Sequence, residues 1–196
     1  FTSADGVTVN HIARWDGRTW SPLGSGVDGD VWALALIGTD LYVGGEFTSA
    51  GGVPVNHIAR WDGSSWSALG SGVNDDVYTL AVNGTDLYVG GDFGTAGGAG
   101  ANHTATWDGS NWSNLGPGVS YPVYAMAVDG TSLYAAGYSW PNPDYPAAGI
   151  ARWNGSSWSA IPFDWSIGRL NALAVVGTDL YVGGIFTTSE RAPLNY

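Results

Sequence analysis

The sequence predicts an all-β fold built from one repeated unit, and three observations carry this prediction. Tryptophans recur at a constant step of 46 residues, at Trp15, Trp61, Trp107 and Trp153. A Leu-Tyr pair recurs with the same step, except for one extra residue before its last copy. Each unit also contains four short apolar runs separated by Gly- and Asp-rich turn signals. A period of this length indicates a repeat architecture, and four short strands per unit are the plan of a β-propeller blade.

The first unit shows why each strand is expected. The run 11–16 reads as a short strand that ends at the hairpin signal Asp16-Gly17, and 19–23 is the returning strand. The run 31–37 (VWALALI) is apolar nearly throughout, which indicates a strand buried on both faces. A Gly-Thr-Asp turn leads to a strand at 41–45 that ends on paired glycines, and a Gly-, Ser- and Thr-rich loop follows. No apolar period of ~3.6 residues is visible, so helical repeats are not expected.

The composition excludes several kinds of site. The 196 residues include no cysteine, so neither a disulfide framework nor a Cys-ligated zinc site can form. There is no lysine, and the net charge of -11 argues against nucleic acid and anionic membranes as partners. No apolar run approaches the ~20 residues that span a bilayer. We therefore expect an extracellular or cell-surface protein; its glycosylation sequons are Asn83, Asn102, Asn111 and Asn154.

The repeat resembles a known family once its strands are read in order. Each unit follows the pattern V-x-x-L-A-V-x-G-x-x-L-Y-V-G-G, then a variable loop, then I-A-R-W-D-G-S-S-W-S-x-L. The double glycine after the second strand and the spaced aromatics resemble the kelch motif, and in particular the kelch-like repeats of large secreted or surface proteins of bacteria and fungi. The resemblance covers the whole chain and implies a propeller, but it implies little about the ligand, because this scaffold hosts enzymes and binders alike.

In the kelch order, the apolar strand is the innermost strand of each blade. Residues 31–70, 77–116 and 123–161 are then three complete blades of a single domain, 1–196. An outer strand pair at 11–23 and an inner pair at 170–184 would form a composite blade if they meet. The expected fold is therefore a four-bladed ring, closed so that no strand edge is exposed. The alternative is a segment of a longer repeat array.

Residues that repeat in every unit are expected to serve packing. Trp15, Trp20 and their copies are interpreted as contacts between blades, since a tryptophan buries ~200 Å². Arg14, Arg60 and Arg152 share one strand position and are expected to pair between blades with Asp62, Asp108 and their neighbours. The three histidines, His11, His57 and His103, share another position. Copies on separate blades cannot converge on one metal ion, so a structural role at a loop end is expected for them.

The sequence contains no recognisable catalytic constellation. There is no nucleophile elbow, P-loop, zinc motif or pair of glutamates suited to acid–base chemistry, so no enzyme and no cofactor are expected. Acidic loops precede the inner strands and leave calcium as a minor alternative, although their spacing does not match an EF-hand. These acidic loops contain Asp28, Asp30, Asn74, Asp75 and Asp76.

The third unit departs from the repeat in three loops. Its long loop changes from small polar residues to 138–146 (YSWPNPDYP), the outgoing loop gains 162–165 (PFDW), and the incoming loop gains Tyr121-Pro122. Loops after the second and fourth strands leave a blade on the same face, so these departures should lie together. Aromatic rings beside carboxylates suit sugar rings and peptide side chains. The predicted binding residues are Trp140, Tyr145, Trp165, Phe163, Tyr121, Asp144 and Asp164. The simpler alternative is that these side chains merely cover the core of their own blade.

Two functions are compatible with these features. The first is a non-catalytic extracellular recognition module that binds a glycan or a protein surface at the loop face of the third blade. The second is a structural repeat element of a surface layer, fibre or adhesin, which associates with copies of itself through the terminal half-blades.

Overall fold

The computed structural model describes residues 1–139, 149–162 and 165–188, and this part of the chain is all β-structure without a helix. A small hairpin and an outer strand pair come first: β1 (Ser3–Ala4), β2 (Val7–Thr8), β3 (Ala13–Trp15) and β4 (Trp20–Pro22). The first blade follows, with a short hairpin in its long loop: β5 (Asp30–Ile37), β6 (Asp40–Glu46), β7 (Ser49–Ala50), β8 (Val53–Pro54), β9 (Ile58–Trp61) and β10 (Trp66–Ala68).

The second unit repeats this order: β11 (Val77–Asn83), β12 (Asp86–Gly91), β13 (Thr95–Ala96), β14 (Ala99–Gly100), β15 (Thr104–Trp107) and β16 (Trp112–Asn114). The third unit contains β17 (Val123–Asp129), β18 (Ser132–Ser139), β19 (Ile150–Trp153) and β20 (Trp158–Ala160), and the final pair is β21 (Trp165–Val176) and β22 (Asp179–Thr188). The predicted strands are therefore confirmed, whereas the loop predicted at 47–56 contains the short hairpin β7–β8.

The three blades share one antiparallel register. In each blade the second strand pairs with the third so that a leucine lies opposite a tryptophan: Leu41 with Trp61, Leu87 with Trp107 and Leu133 with Trp153. The first and second strands pair around a β-bulge just after the first inner-strand residue, for example between Val77 and Thr79. Such a bulge bends a strand and raises its twist. Repetition of these features explains why one sequence pattern gives one blade shape.

The paired glycines permit two close backbone approaches. A Cβ atom at Gly90 would lie 2.8 Å from Cγ1 of Val123, which is on the inner strand of the next blade. A Cβ atom at Gly91 would collide with the carbonyl oxygen of Asp76 on the inner strand of its own blade. Gly44 and Gly45 make the corresponding approaches to Val77 and Asp30. The first glycine therefore makes room for the next blade, and the second makes room for the bulge.

Indole N–H groups connect the outer strands of successive units. Trp66 donates to the carbonyl of Leu23 at 2.8 Å, Trp112 to that of Leu69 at 2.7 Å, and Trp158 to that of Leu115 at 2.8 Å. Each bond joins residues 43 positions apart. The prediction that the repeated tryptophans pack between blades is confirmed for these three copies, whereas Trp15 and Trp20 are 50% and 38% exposed.

The two ends of the array lack these neighbours. In the described residues, β3 pairs only with β4, and β22 pairs only with β21, which joins the third blade through Tyr138 and Arg169. These residues contain no closed sheet, so the composite blade of 11–23 with 170–184 is not formed here. The prediction that the run 31–37 is buried on both faces is wrong for the first copy. Leu34 is 56% exposed and Leu36 is 64% exposed, because no strand of the described residues packs against this side of the first blade.

The close backbone approach at Gly91 predicts a loss of stability when this glycine is replaced. Gly91→Ala should lower the free energy of unfolding by about 1–3 kcal/mol, because the new methyl group meets a backbone carbonyl that cannot move aside. Gly94→Ala is a matched control, since a Cβ atom there has no neighbour within 4 Å. Urea unfolding of both variants measures the difference. Equal midpoints would contradict the role assigned to Gly91.

Candidate functional site

Most of the predicted binding residues lie outside the described part of the chain. These are Trp140, Asp144, Tyr145, Phe163 and Asp164. Trp165 is described only as the first residue of β21, where its backbone pairs with Thr188. The remaining residue, Tyr121, lies in the core and is 7% exposed. The expectation that Tyr121 offers an exposed stacking surface is therefore corrected.

Tyr121 takes the place of a phenylalanine that the third unit lacks. Phe47 and Phe93 fill the core beneath the long loops of the first and second blades, but Ser139 stands at the third position of that series. In the third unit, Tyr121 packs instead among Leu115 and Val119. The incoming loop thus supplies the aromatic ring that the start of the long loop supplies elsewhere.

The third unit also lacks the side chain that fastens the long loop. In the first blade, Asp28 Oδ1 accepts hydrogen bonds of 2.8 Å from the N–H groups of Thr48 and Ser49. Partial burial of the Asp28 carboxyl group acts to raise its pKa, but these hydrogen bonds stabilise the carboxylate and the pKa is lowered. Asn74 Oδ1 accepts the equivalent bonds in the second blade, and Ser120 stands at the third position. Both changes fall beside the loop whose sequence departs most from the repeat.

A cavity of about 550 Å³ lies where the second and third blades meet. It opens between the incoming loop 117–121 and the outer strands β19 and β20. Its lining includes Asn102, His103, Ser120, Trp158 and Ser159. Sequence reasoning did not select these residues: Trp158 was assigned to packing and His103 to a structural role at a loop end, because their types recur in every unit. A pocket of about 460 Å³ lies at the corresponding place in the first unit and is lined by Asn10, His11 and Asp28, so the change from Asp28 to Ser120 distinguishes the third-unit copy.

Asn102 and His103 form the floor of the cavity through unusual backbone geometry. Both residues have positive φ, 42° and 68°, in a region that L-residues seldom adopt. The Asn102 amide donates to the carbonyl of Pro117 at 2.7 Å and so fixes the incoming loop. Burial lowers the pKa of His103, although Asp92 opposes this from 3.9 Å. His11 and His57 share the positive φ, which fits the structural role at a loop end that the sequence predicted.

The cavity offers hydrogen-bonding groups and an aromatic ring. Hydroxyls of Ser120 and Ser159 and the amide of Asn102 lie around the partly buried indole of Trp158. The described residues contain no cluster of three or more His, Cys, Asp or Glu side chains that could hold a metal ion. In the acidic loops, Asp28 and Asn74 instead fasten backbone N–H groups. Calcium binding at these loops remains a prediction.

The repeated arginines do not pair as the sequence predicted. Arg60 Nε lies 3.0 Å from Asp40 Oδ2, in an ion pair that lacks the alignment of a hydrogen bond. Arg152 donates to the hydroxyl of the buried Ser132. Asp62 and Asp108 instead accept backbone N–H bonds in their own hairpin turns, which lower the pKa of both carboxyl groups. Asp62 and Asp108 therefore bind their own hairpin turns and not the arginines of other blades.

A second groove runs along the innermost strands. Trp32 stacks on Tyr78 at 4.7 Å between ring centroids, and Tyr78 stacks on Tyr124 at 4.8 Å, with interplanar angles of 16° and 11°. The guanidinium of Arg169 lies 5.0 Å from the ring centre of Tyr124 and ends this aromatic ladder. Burial, followed by the charges of Asp92 and Asp76, raises the pKa of Tyr78 to about 12. The spacing of the three aromatic residues is visible in the sequence, but their stacking is not.

The fold and the repeat define the class of this protein: it is an all-β protein built of β-propeller repeats. A family model described as a domain of unknown function (DUF5122) beta-propeller matches residues 41–62, which run from the second to the third strand of the first blade. No curated protein matches the chain. The described residues include no helix long and apolar enough to cross a membrane.

The burial of Tyr121 leads to a prediction about alkaline stability. Its hydroxyl has no hydrogen-bond partner among the described residues, so Tyr121→Phe should preserve or raise stability, by up to about 1–2 kcal/mol. Burial raises the pKa of Tyr121 above that of an unfolded tyrosine, near 10. Ionisation therefore favours the unfolded state above pH 10, and the wild type loses this contribution as the pH rises.

Unfolding of the two proteins from pH 8 to pH 12 measures this effect. The advantage of Tyr121→Phe should widen above pH 10. Tyr138→Phe, at an exposed tyrosine, is the control and should not show that widening. A constant difference between wild type and Tyr121→Phe across this range would contradict the buried position of the hydroxyl.

Proposed function

We propose that this protein is a non-catalytic extracellular recognition module whose loop face, at the third blade, binds a glycan or a protein surface. The observation that carries the proposal is the coincidence of the cavity with the place where the repeat changes. The cavity is bounded by the incoming loop 117–121, and the other two divergent loops belong to the same blade. Sites that take sugars commonly combine an aromatic ring with convergent hydroxyl and amide groups.

The chemistry of the cavity favours binding over catalysis. The described lining contains one histidine, and it includes no carboxylate or arginine. A hydrolytic site would need a positioned acid and base, or a nucleophile with its base. Serine hydroxyls, an amide and an indole are instead groups that hold a neutral polar ligand. The net charge of -11 adds a preference for neutral or cationic partners.

The proposal includes the finer form of the fold. We keep the kelch-like interpretation, in which each blade is numbered from its apolar inner strand, and in which 170–184 and 11–23 together form a fourth, composite blade. The identical pairing of the second and third strands in all three complete blades supports this form. The structural alternative, self-association through the terminal half-blades, shares this composite blade and differs in which chains supply its halves.

The ligand proposal is tested at the divergent loops. Replacement of both Trp140 and Trp165 by Ala should abolish binding to immobilised oligosaccharides, while the thermal midpoint changes little. Trp15→Ala is the control, because Trp15 is exposed and lies on the outer pair at the other end of the array. Binding on an array of neutral glycans, with thermal unfolding in parallel, gives the two readouts.

Two outcomes would contradict the proposal. Glycan binding that survives in the double variant would place the ligand elsewhere. A large fall in the thermal midpoint would show that the two tryptophans cover the core. If the wild type binds no glycan, the same variants tested against a protein partner found by proximity labelling decide whether the face recognises protein.

A further inference from the structure

The outer hairpin of the third blade contains a chemically reactive pair of residues, Asn154-Gly155. Because glycine has no side chain, its backbone nitrogen can approach the side-chain amide carbon of the asparagine that precedes it. We propose that Asn154 is a site of spontaneous deamidation, and that the folded hairpin itself promotes the attack by Gly155. This modification site is separate from the proposed ligand site and does not depend on it.

The same turn occurs in four outer hairpins of the described residues, and the position of Asn154 is Asp in the other three. In each turn, a side-chain oxygen accepts the backbone N–H groups of the residues two and three positions further on. These distances are 2.8 and 2.8 Å at Asp16, 2.8 and 2.8 Å at Asp62, and 2.7 and 2.6 Å at Asp108. At Asn154 they are 3.0 and 2.9 Å. Bonds to a charged acceptor are shorter, so this turn is best matched to a negative oxygen.

A third donor reaches the side-chain carbonyl of Asn154. Ser156 Oγ donates to Oδ1 at 2.9 Å, in addition to the two backbone N–H groups. Negative charge develops on Oδ1 when the nitrogen of Gly155 attacks the amide carbon, so three donors already lie where that charge appears. Donors placed in this way lower the barrier of acyl transfer. The equivalent turn lowers the pKa of Asp62, since its backbone N–H groups stabilise the carboxylate.

The attacking and leaving nitrogens are both unobstructed. The bond from the Ser156 N–H to Oδ1 closes an Asx turn, a ring of atoms that includes the amide carbon of Asn154 and the nitrogen of Gly155. Neither the Gly155 nitrogen nor Asn154 Nδ2 donates a hydrogen bond to any described residue, and both residues are exposed. The nucleophile is therefore held near the carbon that it attacks, and the leaving nitrogen can take up a proton from water.

The reaction proceeds through a cyclic succinimide. The Gly155 nitrogen loses its proton to hydroxide and bonds to the side-chain carbon of Asn154, the bond from that carbon to Nδ2 breaks, and ammonia leaves with a proton from water. Water then opens the ring at either carbonyl and gives aspartate or isoaspartate. Both products add a negative charge to the exposed hairpin. The isoaspartyl linkage also lengthens the backbone between Trp153 and Trp158, which pair across the hairpin, and Trp158 lines the cavity.

Asn83-Gly84, the other Asn-Gly pair of the sequence, is an internal control. Asn83 Nδ2 donates to the carbonyl of Gly130 at 2.8 Å, which binds the leaving group to the turn between β17 and β18. Asn83 Oδ1 accepts no hydrogen bond from the described residues. The fold therefore restrains Asn83 and promotes the reaction of Asn154, whereas an unfolded chain offers neither effect.

Peptide mapping by mass spectrometry, after incubation in mildly alkaline buffer, measures both sites in one chain. The protein is made in a bacterial host so that no glycan occupies Nδ2 of Asn154. Trypsin releases the peptide 153–169, in which Asn154 is the only asparagine, and Asn83 is read from fragments of the peptide 61–152. Asn154 should deamidate faster in the folded protein than in concentrated guanidinium chloride, and Asn83 should do the reverse. A sample without incubation gives the background of the digestion.

Two serine variants test the contribution of the third donor. Ser156→Ala removes the hydroxyl 2.9 Å from Oδ1. It should slow deamidation of the folded protein by about two- to tenfold, the range expected for one hydrogen bond. Ser157→Ala is the matched control, because its hydroxyl lies 3.5 Å from the same oxygen, too far for a strong bond. Thermal midpoints of both variants should equal that of the wild type, and neither substitution should alter the rate in guanidinium chloride.

A rate at Asn154 that is no higher in the folded than in the unfolded chain would overturn the proposal, because the turn would then only restrain this residue. Equal effects of Ser156→Ala and Ser157→Ala would overturn the stabilisation of Oδ1 by the Ser156 hydroxyl. None of these results affects the glycan test, which uses protein that has not been incubated.

Discussion

The contact on which this structure depends is the insertion of an inner-strand valine against a glycine of the preceding blade. Val77 enters beside Gly44, and Val123 enters beside Gly90. Any side chain at those glycines would hold the blades apart and open the apolar clusters between them. Blades of this kind bury too little surface alone, so each is stabilised by its neighbours. The distribution of exposed apolar side chains follows from this dependence, since several of the largest lie on the first inner strand and on the last strand pair.

The strand order and the repeat period were predictable from the sequence because the same pattern of residues occurs in three complete units. The period, the strand order and the paired glycines all recur in the sequence, and the structure shows which close contacts require the glycines. What the repeat could not show was the difference between inner and terminal copies. Leu34 and Leu80 occupy the same place in the pattern, yet only Leu80 has a preceding blade to pack against. The burial of an inner-strand leucine depends on the adjacent blade, which the local sequence pattern does not reveal.

The sequence predicted a candidate site at the break in the repeat, and most of its predicted residues lie outside the described part of the chain. The described cavity borders the same unit and is lined by residues that the sequence did not select. Tyr121 was misjudged because a tyrosine in a loop resembles a surface residue. Tyr121 is nevertheless buried in the core of its blade, and the third unit has Ser139 where the other blades have phenylalanine. The loss of an aromatic residue at position 139 and the gain of one at position 121 are not recognised as connected when each position is compared only with its copies in the other units.

The third unit keeps an aromatic ring in its core although the residues around its long loop change. Ser120 stands where Asp28 and Asn74 fasten that loop in the other blades, Ser139 stands where they have phenylalanine, and Tyr121 packs in the core. The scaffold is kept by one set of residues while another set varies, which is the usual division between fold and function.

The aromatic ladder also makes this protein a source of its own optical signal. Trp32, Tyr78 and Tyr124 are nearly parallel chromophores in van der Waals contact. Their ultraviolet transitions are therefore coupled, and light absorbed by the two tyrosines passes efficiently to the single indole at the end of the stack. Because each ring belongs to a different blade, this coupling exists only while three inner strands remain in register. The near-ultraviolet circular dichroism of the protein therefore includes a contribution from this stack, beside those of the tilted Trp–Trp pairs that lie within single hairpins.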